Sequence, residues 1–255
     1  MRGKVYLVGA GPGDPKLITI KGMECIREAD VIVYDRLANP VLLDYRKDGA
    51  ELIYCGKLPH HHTLRQEAIN QLLVEKALEG KVVTRLKGGD PCVFGRVGEE
   101  AEVLVFNHIE FEIIPGVTSG IAVPAYAGIP VTHRDYGSTF AMVTGQMGRD
   151  KEHSEEKWES LARGMDTIAF YMGVANLPHI CSQLMKYGRR PETPVAVISW
   201  GTTPQQTTVI GTLCTIEEIV ELTEVTNPAI ILVGEVVRLR EKIKWFQENK
   251  ESLSI

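Results

Sequence analysis

The sequence predicts an α/β protein built as two α/β domains with a ligand cleft between them, the second sheet being mixed. Three observations predict it. Through the first half, short β-branched runs alternate with amphipathic stretches and glycine-rich turns. Pro115-Gly116 then punctuates the chain. A new set of strand-like runs follows, one of them polar enough to read as a hairpin arm. The expected boundaries are 1–115 for the N-terminal domain, 116–242 for the C-terminal domain and 243–255 for a helical tail.

Val5-Tyr6-Leu7-Val8 reads as a buried strand, and Ile18 to Ala29 as the helix after it. Val31 to Tyr34, Glu51 to Tyr54, Lys81 to Leu86 and Glu112 to Ile114 are the further strands of this half. Between them, Thr63 and Gln66 form a capping box, Ile69, Leu72, Leu73 and Ala77 mark an apolar face, and Gly80 ends the helix. Glu99 to Asn107 is another helix. Strands alternating with helices predict a mostly parallel sheet covered on both faces. In the second half the strands fall at Phe140–Thr144, Thr167–Tyr171, Val195–Ser199, Thr207–Ile210 and Ala229–Val233, with a Thr215/Glu218 capping box opening one helix. Gln205 to Val209, lying close to Gly201 and Gly211, is the hairpin arm that makes this sheet mixed.

Composition narrows the function. The 255 residues carry a net charge of −5 and no basic block, which argues against general nucleic-acid binding. Cys25, Cys55, Cys92, Cys181 and Cys214 are scattered, with no Cys-x-x-Cys pair, so neither a disulfide framework nor a structural zinc site is expected. The opening residues show no signal-peptide pattern and no apolar run is long enough to span a bilayer, so a cytoplasmic protein off the membrane is expected. His60-His61-His62 lacks carboxylate or cysteine partners at ligand spacing and reads as a solvated loop, with no metal.

Two glycine-rich loops directly follow strands. In Gly9-Ala10-Gly11-Pro12-Gly13-Asp14-Pro15 the third glycine comes one residue too early for a dinucleotide fingerprint, and two prolines remove amide donors that a pyrophosphate needs. A nicotinamide oxidoreductase therefore fits poorly, while a tight turn without ligand remains open. Arg85-Leu86-Lys87-Gly88-Gly89-Asp90-Pro91 offers two glycines and a carboxylate, suited to a neutral or cationic ligand with ribose or amine donors. In the stretch after it, Glu99 and Glu100 read equally well as an acidic pair favoured by a helix dipole. Thr118 and Ser119 can cap a helix or offer hydroxyls to a ligand.

These loops, with Tyr34-Asp35-Arg36-Leu37, Phe94-Gly95-Arg96, Pro115-Gly116-Val117-Thr118-Ser119, Gly128-Ile129-Pro130-Val131-Thr132-His133-Arg134, Tyr171-Met172-Gly173, Gly201-Thr202 and Pro228-Ala229, resemble the tetrapyrrole methylases in order from about Lys4 to Arg240. The Thr-His-Arg stretch and the Arg-Leu-Lys-Gly-Gly-Asp-Pro loop look most like the members that methylate uroporphyrinogen III at carbon. The resemblance implies a homodimer that binds S-adenosylmethionine, releases S-adenosylhomocysteine, and methylates its tetrapyrrole twice to give precorrin-2, a branch point towards sirohaem and cobalamin. It implies cofactor contacts at Pro12, Gly88, Gly89, Asp90, Val93, Thr118, Ser119, Met172, Gly201 and Ala229. It implies an acid–base pair at Asp35 and Lys57, and substrate contacts at Arg96, Glu99 and Arg134. By spacing alone Met172 reads as core, and Asp35 as a turn cap or a partner for Arg36. Cys92, Val97 and Gly120 depart from the commoner Phe, Gly and Ala of the family, which bears on pocket shape more than on reaction type. Two alternatives stay open: a member acting on a later corrin intermediate, and a ligand-binding module without turnover.

Overall fold

A computed structural model describes residues 3–56, 65–146, 154–223 and 225–248. The chain divides into two compact units, 1–118 and 119–255. The expected division at Pro115 lies three residues earlier than the observed one. The physical reason is that Gly116 stays with the first unit, its N–H donating to Asp90 Oδ2 at 2.9 Å.

The first unit holds β1 (Lys4–Gly9), α1 (Ile20–Glu28), β2 (Val31–Tyr34), β3 (Glu51–Tyr54), α2 (Gln66–Leu78), β4 (Val82–Lys87), α3 (Val97–Phe106) and β5 (Glu110–Ile114). Its five strands lie in the order β3-β2-β4-β1-β5, and every pairing is parallel. Alternate strand residues feed two cores. Val5, Leu7, Val31, Val33 and Val83 pack under α2 and α3, whereas Val8, Ile32, Leu86 and Ile114 pack under α1 and the turn carrying Leu42 and Leu43. Connections running one way along the sheet therefore cross one face, and those running back cross the other, as a single crossover hand requires. β1 and β4 are neighbours whose outgoing chains leave in opposite directions. Such a switch point opens a crevice beyond the strand C-termini.

The second unit holds α4 (Ser119–Tyr126), β6 (Phe140–Thr144), α5 (Ser154–Gly164), β7 (Thr167–Tyr171), α6 (Leu177–Lys186), β8 (Pro194–Ser199), β9 (Thr207–Thr212), α7 (Ile216–Leu222), β10 (Ala229–Val233) and α8 (Arg240–Ile243). Its sheet has the order β6-β7-β10-β8-β9. It is mixed as expected: β6 and β7 are parallel, and the other pairs antiparallel. Ile168, Phe170, Val195, Val197 and Ile231 face α5, α6 and α7. Ala169, Ala196, Ile198, Ile230 and Leu232 face α4 and the segment after it.

Three local expectations are corrected. α2 starts at Gln66, with Arg65 at its N-cap and no side-chain cap bond; the Gln66 amide donates instead to Asn70 Oδ1 and Glu100 Oε1, and Thr63 lies outside the described residues. The Thr215/Glu218 box does not form, because the Thr215 hydroxyl accepts from Thr212 N at 2.9 Å. The tail is not helical over 244–248, since its side chains are committed to the body of the unit. Trp245 Nε1 donates to Ala125 O at 2.9 Å. Trp245 and Phe246 pack against Tyr126. Gly128 (φ +72°) has no room for a side chain, since a Cβ there would lie 2.7 Å from Lys244 Cα.

Glu248, the last described residue of this tail, is a carboxylate whose side chain is 10% exposed beside Arg240 and Lys244, and it accepts from Gln206 and Thr208. Burial opposes its charge, but those hydrogen bonds and cations outweigh it and hold the carboxyl below the usual glutamate range. A depressed carboxyl contributes stability that is fully present above its unfolded pKa of about 4.3 and is lost as pH falls through the folded value. Glu248→Gln is therefore expected to lower the denaturation midpoint at pH 7, with the gap from wild type closing as the pH falls below 4. A gap that does not change with pH contradicts this.

Candidate active site

Three loops meet at the C-terminal edge of the first sheet. Gly11 and Gly89 pair in an antiparallel bridge, with Gly89 N donating to Gly11 O at 2.7 Å and Gly11 N to Gly89 O at 3.2 Å. The third loop closes onto them. A Cβ on Gly9 would lie 2.6 Å from Gly116 Cα, and one on Gly116 would lie 2.3 Å from Gly89 O. Only glycine permits backbone approach this close. Asp90 ties the loops laterally, accepting from Cys92 N at 2.8 Å and from Gly116 N at 2.9 Å. Each carboxylate oxygen keeps acceptor capacity beyond that one bond.

Pro12, Gly88, Gly89, Asp90 and Val93 thus sit on one edge, all partly exposed. Thr118 is buried at the end of the third loop. Asp35 joins them from the end of β2. Its Oδ1 accepts from Leu37 N at 3.0 Å and its Oδ2 from Arg85 Nη2 at 3.1 Å. The turn-cap reading of Asp35 is therefore correct as far as it goes, but its charge partner is Arg85 rather than Arg36. Lys57 and His60 to His62 lie outside the described residues.

Arg96 and Glu99 lie at the start of α3 and pair with each other. Nε and Nη2 of Arg96 reach Oε1 and Oε2 of Glu99 at 2.8 and 2.7 Å, in a two-pronged pair with both side chains about half exposed. Arg96 adopts a left-handed backbone, φ +58°, as does Phe94 two residues earlier, φ +54°. Non-glycine residues in that region carry strain that persists where the surroundings dictate it. Reading Glu99 and Glu100 as one acidic pair fails. Glu99 is on the surface, while Glu100 is fully buried beneath Arg85 and Lys87. Burial, and then the neighbouring Arg85 charge, push the Lys87 ammonium below the usual lysine range.

In the second unit, strand direction gathers Met172, Gly201 and Ala229. β10 runs antiparallel to β7 and β8, so its first residues lie beside the last residues of both: Ile230 opposite Tyr171 and Ala229 opposite Ser199. Met172 is 50% exposed with φ +55°, so the core reading from spacing fails. Trp200 and Thr202, on either side of Gly201, also have positive φ, +47° and +68°. Gly201 packs on α4, where a Cβ would lie 2.4 Å from Val123 Cγ1. Ser119 opens α4, and the next amide, Gly120 N–H, donates to the Tyr171 hydroxyl at 2.6 Å. That bond brings the start of α4 to the same sheet edge. Arg134 is exposed in a turn anchored at the other edge, where Ser138 N and Thr139 N donate to Asp166 ahead of β7.

Sequence reasoning missed Tyr171 and the buried trio Arg85, Lys87 and Glu100. For the trio a signal existed: two cations two residues apart, on one face of an otherwise apolar strand, need a buried counter-charge. Gly120 lies against the Tyr171 hydroxyl. A Cβ there would lie 2.4 Å from the Tyr171 hydroxyl oxygen. Gly120→Ala is expected to cost about 1–3 kcal/mol of stability by overpacking. Adding Tyr171→Phe removes the nearest of the crowding atoms and should recover part of that loss, read from denaturation midpoints. Additive losses in the double variant contradict the contact.

The chain matches the model for Tetrapyrrole (Corrin/Porphyrin) Methylases over residues 4–217. It is 63% identical over 235 residues to a uroporphyrinogen-III C-methyltransferase of Priestia megaterium, covering 92% of this chain and 98% of that one. It is 54% identical over 239 residues to an S-adenosyl-L-methionine-dependent uroporphyrinogen III methyltransferase of Methanosarcina barkeri, covering 94% of each. A solved uroporphyrin-III C-methyl transferase of Thermus thermophilus, complexed with S-adenyl homocysteine, superposes with a TM-score of 0.78 at 38% identity, covering 93% of this chain and 100% of that one. With the glycine loops, the two sheet orders and the family motifs all in place, the chain belongs to the tetrapyrrole methylase family.

Proposed function

We propose that this chain is an S-adenosylmethionine-dependent C-methyltransferase that methylates uroporphyrinogen III twice to give precorrin-2. The observation that carries the reading is the 63% identity to the Priestia megaterium enzyme across 92% of the chain. The first unit's loops fit the cofactor. They present glycine backbone where a Cβ has no room, and Asp90 offers a carboxylate with acceptor capacity to spare. That combination suits a cationic, ribose-bearing molecule better than a phosphate.

S-adenosylmethionine, when bound, supplies an activated methyl group on a sulfonium, so no metal or covalent nucleophile is required of the protein. Pro12, Gly88, Gly89, Asp90, Val93 and Thr118 in the first unit, and Ser119, Met172, Gly201 and Ala229 in the second, are the residues assigned to hold it. Their task is alignment, because an in-line displacement depends on the angle at which the pyrrole carbon approaches. Asp35 is assigned as the base that takes the proton the methylated ring must lose. It is 26% exposed and already held by Arg85, so its orientation is set before substrate arrives. Lys57 is assigned as its partner, donating a proton or pairing with a substrate carboxylate.

The acetate and propionate arms of the substrate call for guanidinium groups. Arg96, oriented by Glu99, and the exposed Arg134 are assigned to them. Among the described residues no helix is long and apolar enough to cross a membrane. The net charge of −5 gives nucleic acid little to hold. A cytoplasmic homodimer whose product serves sirohaem or cobalamin synthesis completes the proposal.

An anaerobic assay with purified protein, labelled S-adenosylmethionine and uroporphyrinogen III tests it. Mass spectrometry should find a tetrapyrrole heavier by two methyl groups. Cofactor binding with no methylated product would overturn the substrate assignment and point to a later corrin intermediate.

A further inference from the structure

Four charged side chains form a continuous chain through the first unit. Arg85, on β4, is its hub. Nη2 donates to Asp35 Oδ2 at 3.1 Å, Nε to Glu100 Oε1 at 3.3 Å, and Nη1 to the carbonyl oxygens of Leu86 and Val33 at 3.1 and 3.4 Å. Lys87 Nζ donates to the same Glu100 oxygen at 2.7 Å, and Gln66 Nε2 to it at 3.2 Å. The side chains of Arg85, Lys87 and Glu100 are 5, 6 and 0% exposed, against 26% for Asp35. Asp35 is the one member that reaches solvent.

The register explains the reach. β2 and β4 are adjacent, with Val33 opposite Arg85. In a parallel pair these side chains share a face, and Asp35 lies two residues beyond Val33 on that same side. The guanidinium therefore runs along β2 to the residue that emerges at the sheet edge. Its other donors are taken by two backbone carbonyls and by a carboxylate on α3, so it has little freedom to turn.

Buried ion pairs are weak sources of stability, because desolvation offsets much of their attraction. Apolar side chains at these positions would pack between β4 and α3 without burying charge. What the charges do that apolar groups cannot is fix a carboxylate at the sheet edge and keep it compensated. We propose that Arg85, anchored by Glu100, is a positioning residue for Asp35. It sets the direction in which the carboxylate accepts the proton from the methylated ring, and remains cationic itself throughout. The inference rests on the reading of Asp35 as the base.

A double-mutant cycle separates this from a merely structural role. Turnover of uroporphyrinogen III is measured for wild type, Arg85→Lys, Asp35→Asn and the double variant, with S-adenosylhomocysteine affinity as a check on the cofactor loops. Lysine keeps the charge but lacks the planar fork that reaches Asp35, Glu100 and the carbonyls together. Arg85→Lys is expected to lower kcat about 100-fold, the scale of a small misplacement of a reacting group, with KM and S-adenosylhomocysteine affinity unchanged. In the Asp35→Asn background it should have no further effect. A defect of equal size in both backgrounds, or no loss of kcat, overturns the proposal. If Asp35→Asn retains full kcat, the base assignment itself falls and the positioning role with it. Should Arg85→Lys fail to fold, Glu100→Gln loosens the anchor without touching Asp35. It should lower kcat only where Asp35 is intact, and an unchanged kcat there overturns the proposal equally.

Discussion

Backbone contact between three glycines organises the C-terminal edge of the first unit's sheet. Gly9, Gly89 and Gly116 end or follow β1, β4 and β5, and approach so closely that a Cβ on Gly9 or Gly116 would lie 2.3 to 2.7 Å from a neighbouring backbone atom. The sheet order puts β4, β1 and β5 side by side, so their outgoing loops have to share one small space. Removing the side chains lets the loops hydrogen-bond to each other, and Asp90 can then bridge across to the third. The same glycines that make this packing possible leave bare backbone at that edge. The tight turn and the proposed cofactor loop therefore ask the same thing of the backbone.

The second unit reaches its edge by another route. Its strands are mixed in direction, and antiparallel β10 delivers its first residue to the place where β7 and β8 deliver their last. Met172, Trp200 and Thr202 hold left-handed backbone there. Strain of about 1–3 kcal/mol per such residue persists only where surrounding structure dictates it. The Tyr171 hydroxyl on Gly120 N–H satisfies a donor that the first turn of a helix otherwise leaves open.

Most strands were legible because their signal is local. Val31–Tyr34, Glu51–Tyr54, Phe140–Thr144, Thr167–Tyr171 and Ala229–Val233 fall where β-branched runs and turn residues put them. The polar run at 205–209 read as a hairpin arm because its glycines and alternation are local too, and β9 pairs antiparallel with β8. Helix starts were less legible. Gln66 and Thr215 have the composition of caps, yet partners distant in sequence or in a preceding turn claim their side chains. The tail over 244–248 reads as helix by composition, but Trp245 and Glu248 are bound to residues more than 30 positions away. Among site residues, those on motif loops were visible and those defined by contact were not. Arg85 and Lys87 stood inside a recognisable motif, but their counter-charge, Glu100, comes from the next helix and looked like a surface helix-dipole residue. Met172 looked apolar and therefore buried, yet it is half exposed on a left-handed backbone.

The proposal that the glycine loops hold S-adenosylmethionine is the claim on which the mechanism stands. Amide hydrogen exchange with and without S-adenosylhomocysteine tests it most directly. Slowed exchange is expected at 9–14, 88–93 and 116–118 in the first unit and at 119–120, 171–173 and 200–202 in the second. Protection confined to a single glycine loop, or appearing instead at the opposite sheet edge around Thr139 and Thr167, would contradict it.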